Sequence, residues 1–244
     1  MALIIQKFGG SILTDEQQFN KIAHFIAASY KEEHQLVVVV SAMKGTTDFL
    51  LNQGHQVNST VGQGPCLDLL LALGEQKACA LLGLALEQQK IPFVIKSGFR
   101  VGLQQLPDGQ WSVDTDAYAK ALRKHVLVVS GFQALNTHDQ LITLGRGGSD
   151  LTAILLAHFL HAERCFLFKD VPGIAHHYTG HSDDPYYKCI SLTELLQLSQ
   201  KGASIVQQQA IRFALQKNVN FEVVNLQYQG TYVYASLPPA PLLQ

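Results

Sequence analysis

The sequence predicts an α/β sandwich around a largely parallel sheet, and three observations carry that expectation. Short β-branched apolar runs such as "QLVVVVSAM" and "HVLVVSGFQ" show no polar alternation, the pattern of strands buried on both faces. Between such runs, apolar residues repeat at three- and four-residue intervals, the spacing of amphipathic helices. Several runs end in small polar loops containing glycine, and open parallel sheets collect ligands at such strand ends.

Taken in order, "ALIIQKFGG" reads as a buried strand feeding a loop. Phe19, Ile22, Ala23, Phe25 and Ile26 then mark a helix. Residues 35–43 form a second strand, followed by "KGTTD" and a polar segment from Gln53 to Gly64. Residues 66–90 read as a long helix with Leu69, Leu70, Leu73, Ala80, Leu81 and Leu84 in register. Strands follow at 91–98 and 125–133, with a hairpin turn at Pro107-Asp108-Gly109 between them. A helix striped by Leu151, Ile154, Leu155 and Phe159 precedes a strand at 163–171. The last third holds helices near 192–200 and 204–217 and a strand at 220–225, then a loose proline-rich tail. No repeat or low-complexity linker appears, so any lobes are expected to share one sheet.

Composition narrows the function classes. The 244 residues suffice for a full core, and 47% apolar against 15% charged residues excludes a disordered chain. A net charge of −1, with Lys and Arg dispersed, argues against a nucleic-acid-binding face. No stretch approaches the roughly 18 continuous apolar residues of a membrane span, and the start lacks the basic region of a signal peptide. Cys66, Cys79, Cys165 and Cys189 stand far apart with no C-x-x-C pair, which predicts buried free thiols in a reducing compartment. A soluble cytoplasmic protein is expected.

The chemistry concentrates in the loops. "KFGGS" (7–11), "SAMKGTT" (41–47) and "SGFQ" (130–133) each close a strand and can face one crevice. Gly9 and Gly10 let the backbone approach a phosphate closely, and Lys7 adds a mobile cation suited to phosphoryl transfer. "LGRGGSDLTA" (144–153) fits neither the P-loop nor the dinucleotide fingerprint. Ser149 or Asp150 can cap the helix that follows, the helix N-terminus attracts anions, and Arg146 can grip a carboxylate by two hydrogen bonds. The plain alternative is a capped helix entry with no ligand. His176, His177 and His181 lack the accompanying ligands of a metal site and read as exposed imidazoles; Asp183-Asp184 before Pro185 reads as a turn.

Taken together, "KFGGS", "VVVVSAMKGTTD", "LGE", "VVSGFQ", "TLGRGGSDLTA" and "DVPGI" occur in an order and wording that closely resemble the catalytic domain of aspartate kinases, within the amino acid kinase family. The resemblance runs from about Ile4 to Val233. It implies a three-layer αβα sandwich, with an amino-acid lobe over about 1–140 and a nucleotide lobe over about 141–235, leaving 236–244 as tail. It implies transfer of the γ-phosphoryl group of ATP, with Mg2+ held mainly by the nucleotide phosphates and no protein metal site, to the side-chain carboxylate of L-aspartate. Under that resemblance Lys7 contacts the transferring group and Asp150 orients it. Gly9, Gly10 and Ser11 line the phosphate path, and Lys169, Asp170 and Ser204 stand at the nucleotide. Thr46 or Thr47, Glu75, Arg146 and Ser149 hold the amino-acid substrate, Glu75 near its ammonium. A homodimer through the amino-acid lobe is expected, as is the absence of ACT regulatory domains, so that regulation would come from a partner chain.

The nucleotide lobe departs from the family pattern. Where the family reads "TDVDGIYTxDPR", this chain reads "KDVPGIAHHYTGHSDDPYY", with Lys169 for threonine, Ala175 for tyrosine and Tyr186 for arginine. Where the family reads "GAKVLHP", this chain reads "GASIVQQ", so a phosphate-binding lysine becomes Ser204 and His-Pro becomes Gln207-Gln208. Lys169 and Lys201 are the candidates to replace the lost cation. Three readings follow: a working aspartate kinase, an impaired homologue acting as a ligand-binding partner or regulatory subunit in a hetero-complex, or a kinase with a shifted substrate.

Overall fold

The computed structural model describes residues 2–31, 34–176, 185–202 and 205–235. Ser204, His177, His181, the Asp183-Asp184 turn and the tail lie outside them. In chain order the elements are β1 (Leu3–Phe8), α1 (Glu16–Lys31), β2 (Gln35–Val40), α2 (Thr46–Val57), α3 (Pro65–Gln88), β3 (Phe93–Lys96), β4 (Leu103–Gln105), β5 (Trp111–Val113) and α4 (Thr115–Leu122). They continue with β6 (Val126–Ser130), β7 (Gln133–Leu135), β8 (Leu141–Thr143), α5 (Gly148–Phe159), β9 (Arg164–Phe168) and β10 (Cys189–Ser191). The last are α6 (Leu192–Gln200), α7 (Gln208–Lys217), β11 (Phe221–Val224) and β12 (Gly230–Tyr234).

Eight strands form the main sheet in the order β10-β12-β11-β9-β1-β2-β6-β3, parallel except for the β11–β12 pair. Residues of one strand alternate between two apolar layers, as the period of two requires. Ile5, Val37, Val39, Leu127 and Val129 join the cluster under α4, α5, α6 and α7. Ile4, Phe8, Val38, Val40 and Val128 join the cluster under α1 and α3. Burial on both faces explains the unbroken apolar runs, and the expected αβα layering is present.

The main sheet combines strands from both halves of the chain, as expected, but it is accompanied by one the sequence did not suggest. A second, four-stranded sheet, β5-β4-β7-β8, stands apart from the first. The segment from Gln53 also differs, because α2 extends through it to Val57 although none of its residues is buried. The helix expected from residue 204 begins at Gln208. α3 is long and apolar enough by composition to cross a membrane, but half of its apolar window is buried within the protein. It packs against α1, α2 and the sheet. Of the thiols, Cys79 and Cys165 are buried as expected, whereas Cys66 and Cys189 are exposed.

Candidate active site

β1 lies between β2 and β9, and parallel pairing brings the carboxyl ends of all three to one edge. From β1 the chain crosses by α1 to β2 on one side; from β9 it proceeds toward β11 on the other. The boundary between β9 and β1 is therefore the topological switch point where a crevice must open. Lys7 pairs in register with Leu167. Lys7 follows Ile5, and Lys169 follows Leu167, at the two-residue period, so both lysines take the α5 face.

α5 supplies the countercharge. Lys7 Nζ lies 2.6 Å from Asp150 Oδ1. Lys169 Nζ donates to Oδ1 at 3.1 Å and Oδ2 at 3.0 Å of the same carboxylate. Lys7 is 3% exposed and Asp150 2%, while the Lys169 side chain keeps 15% exposure. Burial lowers the Lys7 ammonium to about 8, against the pull of Asp150 and with the push of Lys169. Burial pushes the Asp150 carboxyl up, but the charges and hydrogen bonds of Lys169 and Lys7 reverse this and hold it at about 2.

Close backbone approach assembles the surroundings. A β-carbon at Gly131 would stand 2.5 Å from Ser149 Cβ, so glycine there lets the start of α5 tuck beneath the end of β6. The helix starts at Gly148 and is capped by Gly147, whose φ of 79° suits glycine. This corrects the expected cap: Ser149 and Asp150 lie inside the first turn, freeing both side chains for the crevice. Ser149 Oγ and Ser41 Oγ share a hydrogen bond of 2.6 Å. At the other wall, a β-carbon at Gly74 would meet Ala42 Cβ at 2.8 Å, so α3 presses against the loop after β2. That contact delivers Glu75, whose Oε1 accepts from the Ala42 N–H at 2.9 Å. Its Oε2 is buried without a hydrogen-bond partner among the described residues. Burial raises this carboxyl to about 7, against the Ala42 hydrogen bond and the charge of Lys7.

Residues 2–225 match the Amino acid kinase family. The chain belongs to that family. It is similar to aspartokinase 2 of Bacillus subtilis, 34% identical over 235 residues that cover 91% of this chain and 56% of the relative. An aspartokinase of Rickettsia felis is 34% identical over 241 residues, covering 92% of this chain and 58% of the relative. The aspartate kinase of Synechocystis superposes with a TM-score of 0.86 at 31% identity, over 99% of this chain and 41% of that one. The chain thus spans just over half the length of the curated relatives it matches.

Most residues singled out in the sequence converge. Gly9 sits against Lys7, since a β-carbon there would stand 3.2 Å from Nζ and 3.8 Å from Ser11 Oγ. Gly10 abuts the Ala42 carbonyl, where a β-carbon would come within 3.0 Å. Thr46 lines an open cleft of about 730 Å3 with Lys44, Phe49, Leu73 and Lys77; Thr47 is not among its lining residues. Arg146 projects into solvent with 91% of its side chain exposed, 3.8 Å from Asp48. Asp170 is exposed, and so is Lys201 at the end of α6. Sequence reasoning placed Ser41 at the start of the "SAMKGTT" loop but assigned it no role. It also missed Gln207 as a contact: its Nε2 donates to the Leu144 carbonyl at 2.9 Å, holding the glycine loop before α5.

Proposed function

We propose that this chain transfers the γ-phosphoryl group of ATP to the side-chain carboxylate of L-aspartate, as the phosphoryl-transfer domain of an aspartate kinase. The observation that carries the reading is the Lys7–Asp150 pair buried at the switch point, facing a second buried carboxylate, Glu75, with an open oxygen. The 34% identity to aspartokinases supports the substrate.

MgATP, when bound, supplies the phosphoryl group and leaves as ADP. One aspartate carboxylate oxygen forms the new P–O bond, the bond to the β-phosphate oxygen breaks, and the product is an acyl phosphate. The nucleophile is ionised at neutral pH, so no general base is required. The protein's task is positioning and neutralisation of spreading negative charge. Lys7 meets the transferring group, and Asp150 fixes its ammonium. Gly9, Gly10 and Ser11 flank the phosphate path, with Asp170 at its rim. Thr46 and Ser149 offer hydroxyls to the amino acid, and exposed Arg146 is free to turn inward onto its carboxylate. Glu75 Oε2 takes the substrate ammonium, which would satisfy a buried oxygen.

Hydroxylamine trapping tests the reading directly. ADP release with aspartyl hydroxamate formation is expected only with ATP, Mg2+ and aspartate all present. Aspartate-independent turnover would shift the substrate, and nucleotide binding without turnover would favour an impaired partner subunit. We infer a cytoplasmic homodimer, with the exposed apolar residues Phe49, Leu69 and Leu73 of α2 and α3 covered by a second copy. Sedimentation velocity should show a dimer that charged substitutions at these positions dissociate.

Glu75 gives a pH signature. Ammonium binding needs the ionised carboxylate, so the KM for aspartate should rise as pH falls below about 7, the value of the free site. Stability runs the other way. A carboxyl raised from 4.5 to about 7 makes the folded state bind more protons between those values, so stability falls as pH rises across that window. Glu75→Gln should therefore melt higher than wild type at pH 8, with the advantage fading toward pH 5, while losing aspartate affinity. Equal melting differences at both pH values would refute a buried charge at this position.

A further inference from the structure

Asp150 carries one negative charge, and two ammoniums lie within 3.1 Å of it. The three residues therefore hold an excess positive charge, with Lys169 the one nearest the opening. A structural ion pair needs only one lysine, and a second cation crowded against the first raises the cost of burial. Lys7 feels that crowding, since Lys169 pushes its ammonium down. The arrangement becomes favourable when a polyanion adds negative charge from the open side. Lys169 is placed for that encounter. It follows β9 on the strand edge, its backbone N–H donates to the Val224 carbonyl at 2.8 Å, and its side chain keeps partial access to the crevice. Lys201, by contrast, is exposed at the end of α6, and Ser204 offers no charge.

We propose that Lys169 is the second phosphate-binding cation of this site, gripping the triphosphate of the donor nucleotide beside Lys7. The cation pair is then built by two adjacent strands, β1 and β9, across the switch point, with Asp150 as the shared brace. This rests on the kinase reading above and specifies how the altered nucleotide lobe still holds its donor. It also accounts for a lysine at the strand end where the resembling sequences carry threonine.

The test separates the two ideas by measuring nucleotide binding apart from turnover. Lys169→Met leaves Asp150 paired one-to-one with Lys7, so the fold should persist, and thermal melting checks this. The variant should lose most of the stabilisation that MgADP and MgATP give wild type. Its kcat/KM for ATP should fall by roughly 10²–10³, the usual effect of deleting one contact to developing charge. Lys169→Arg, which keeps the charge, should retain nucleotide stabilisation. With Lys169 gone, Lys7 also loses its repelling neighbour, so the alkaline limb of the pH profile should move upward. Wild-type nucleotide stabilisation in Lys169→Met would overturn the proposal and leave the kinase reading standing. Absence of nucleotide binding in wild type would overturn both. Nucleotide binding without aspartate turnover, sensitive to Lys169→Met, would sustain this proposal and overturn the aspartate kinase reading.

Discussion

Lys7→Met is expected to cut kcat by about 10²–10³, equivalent to about 2.7–4 kcal/mol of transition-state stabilisation, with the fold intact. Methionine matches the length and apolar stem of lysine, so β1 keeps its packing between β2 and β9. Asp150 is not orphaned, because both of its oxygens still accept from Lys169. What disappears is the buried ammonium that the proposed transfer places against the moving negative charge. Lys7 differs from Lys169 in the expected kinetic signature. Lys169, on the open side, should act on donor binding; Lys7, 3% exposed, should act mainly on the chemical step. Single-turnover kinetics at saturating ATP and aspartate distinguish the two. A near-native rate in Lys7→Met would remove it from the chemistry.

Much of this architecture is legible in the sequence because buried parallel strands leave a plain record. The runs at 35–40 and 126–130 are apolar on both faces, as their double burial demands. The second sheet leaves no such record: β4, β5, β7 and β8 are three residues each, too short for a period to show. α2 is harder to read for another reason, since none of its residues is buried and polar residues separate Leu51 from Val57. The start of α5 misleads because Ser149 and Asp150 are good capping residues, while the cap position is taken by Gly147 in a left-handed conformation.

The candidate site divides in the same way. Loop glycines point to close approach, and the single glycines Gly74 and Gly131 do permit it, yet nothing in the sequence names Ala42 and Ser149 as what they approach. Lys7 and Asp150 stand 143 positions apart, and their pairing depends on β1 lying beneath α5. Lys169 is the intermediate case. The alternation of Cys165, Leu167 and Lys169 along β9 sets its face, and that face is the one α5 covers. Knowing that Lys7 shares it requires the register of β9 on β1.

Asp150→Asn tests that three-residue cluster as a whole. The neutral amide keeps the shape of the carboxylate but leaves two ammoniums near one another with no countercharge. Removing one partner of a buried ion pair typically destabilises by about 3–5 kcal/mol, so the variant should melt well below wild type at pH 7. The loss should shrink as pH rises, and the sign follows from proton counts. In wild type Lys7 already sits near 8 when folded against 10.5 when unfolded, so the unfolded state binds more protons between those values and stability rises with pH there. Without Asp150, which supports the charged form, Lys7 sheds its proton at still lower pH. The rise in stability then begins earlier in the variant, and the two melting curves converge from pH 7 toward pH 9. Turnover should not recover over that range, because the fold is regained by discharging the ammonium to which we assign the phosphoryl-transfer role. A pH-independent stability gap would mean that the asparagine is disturbing packing around α5 rather than uncovering buried charge.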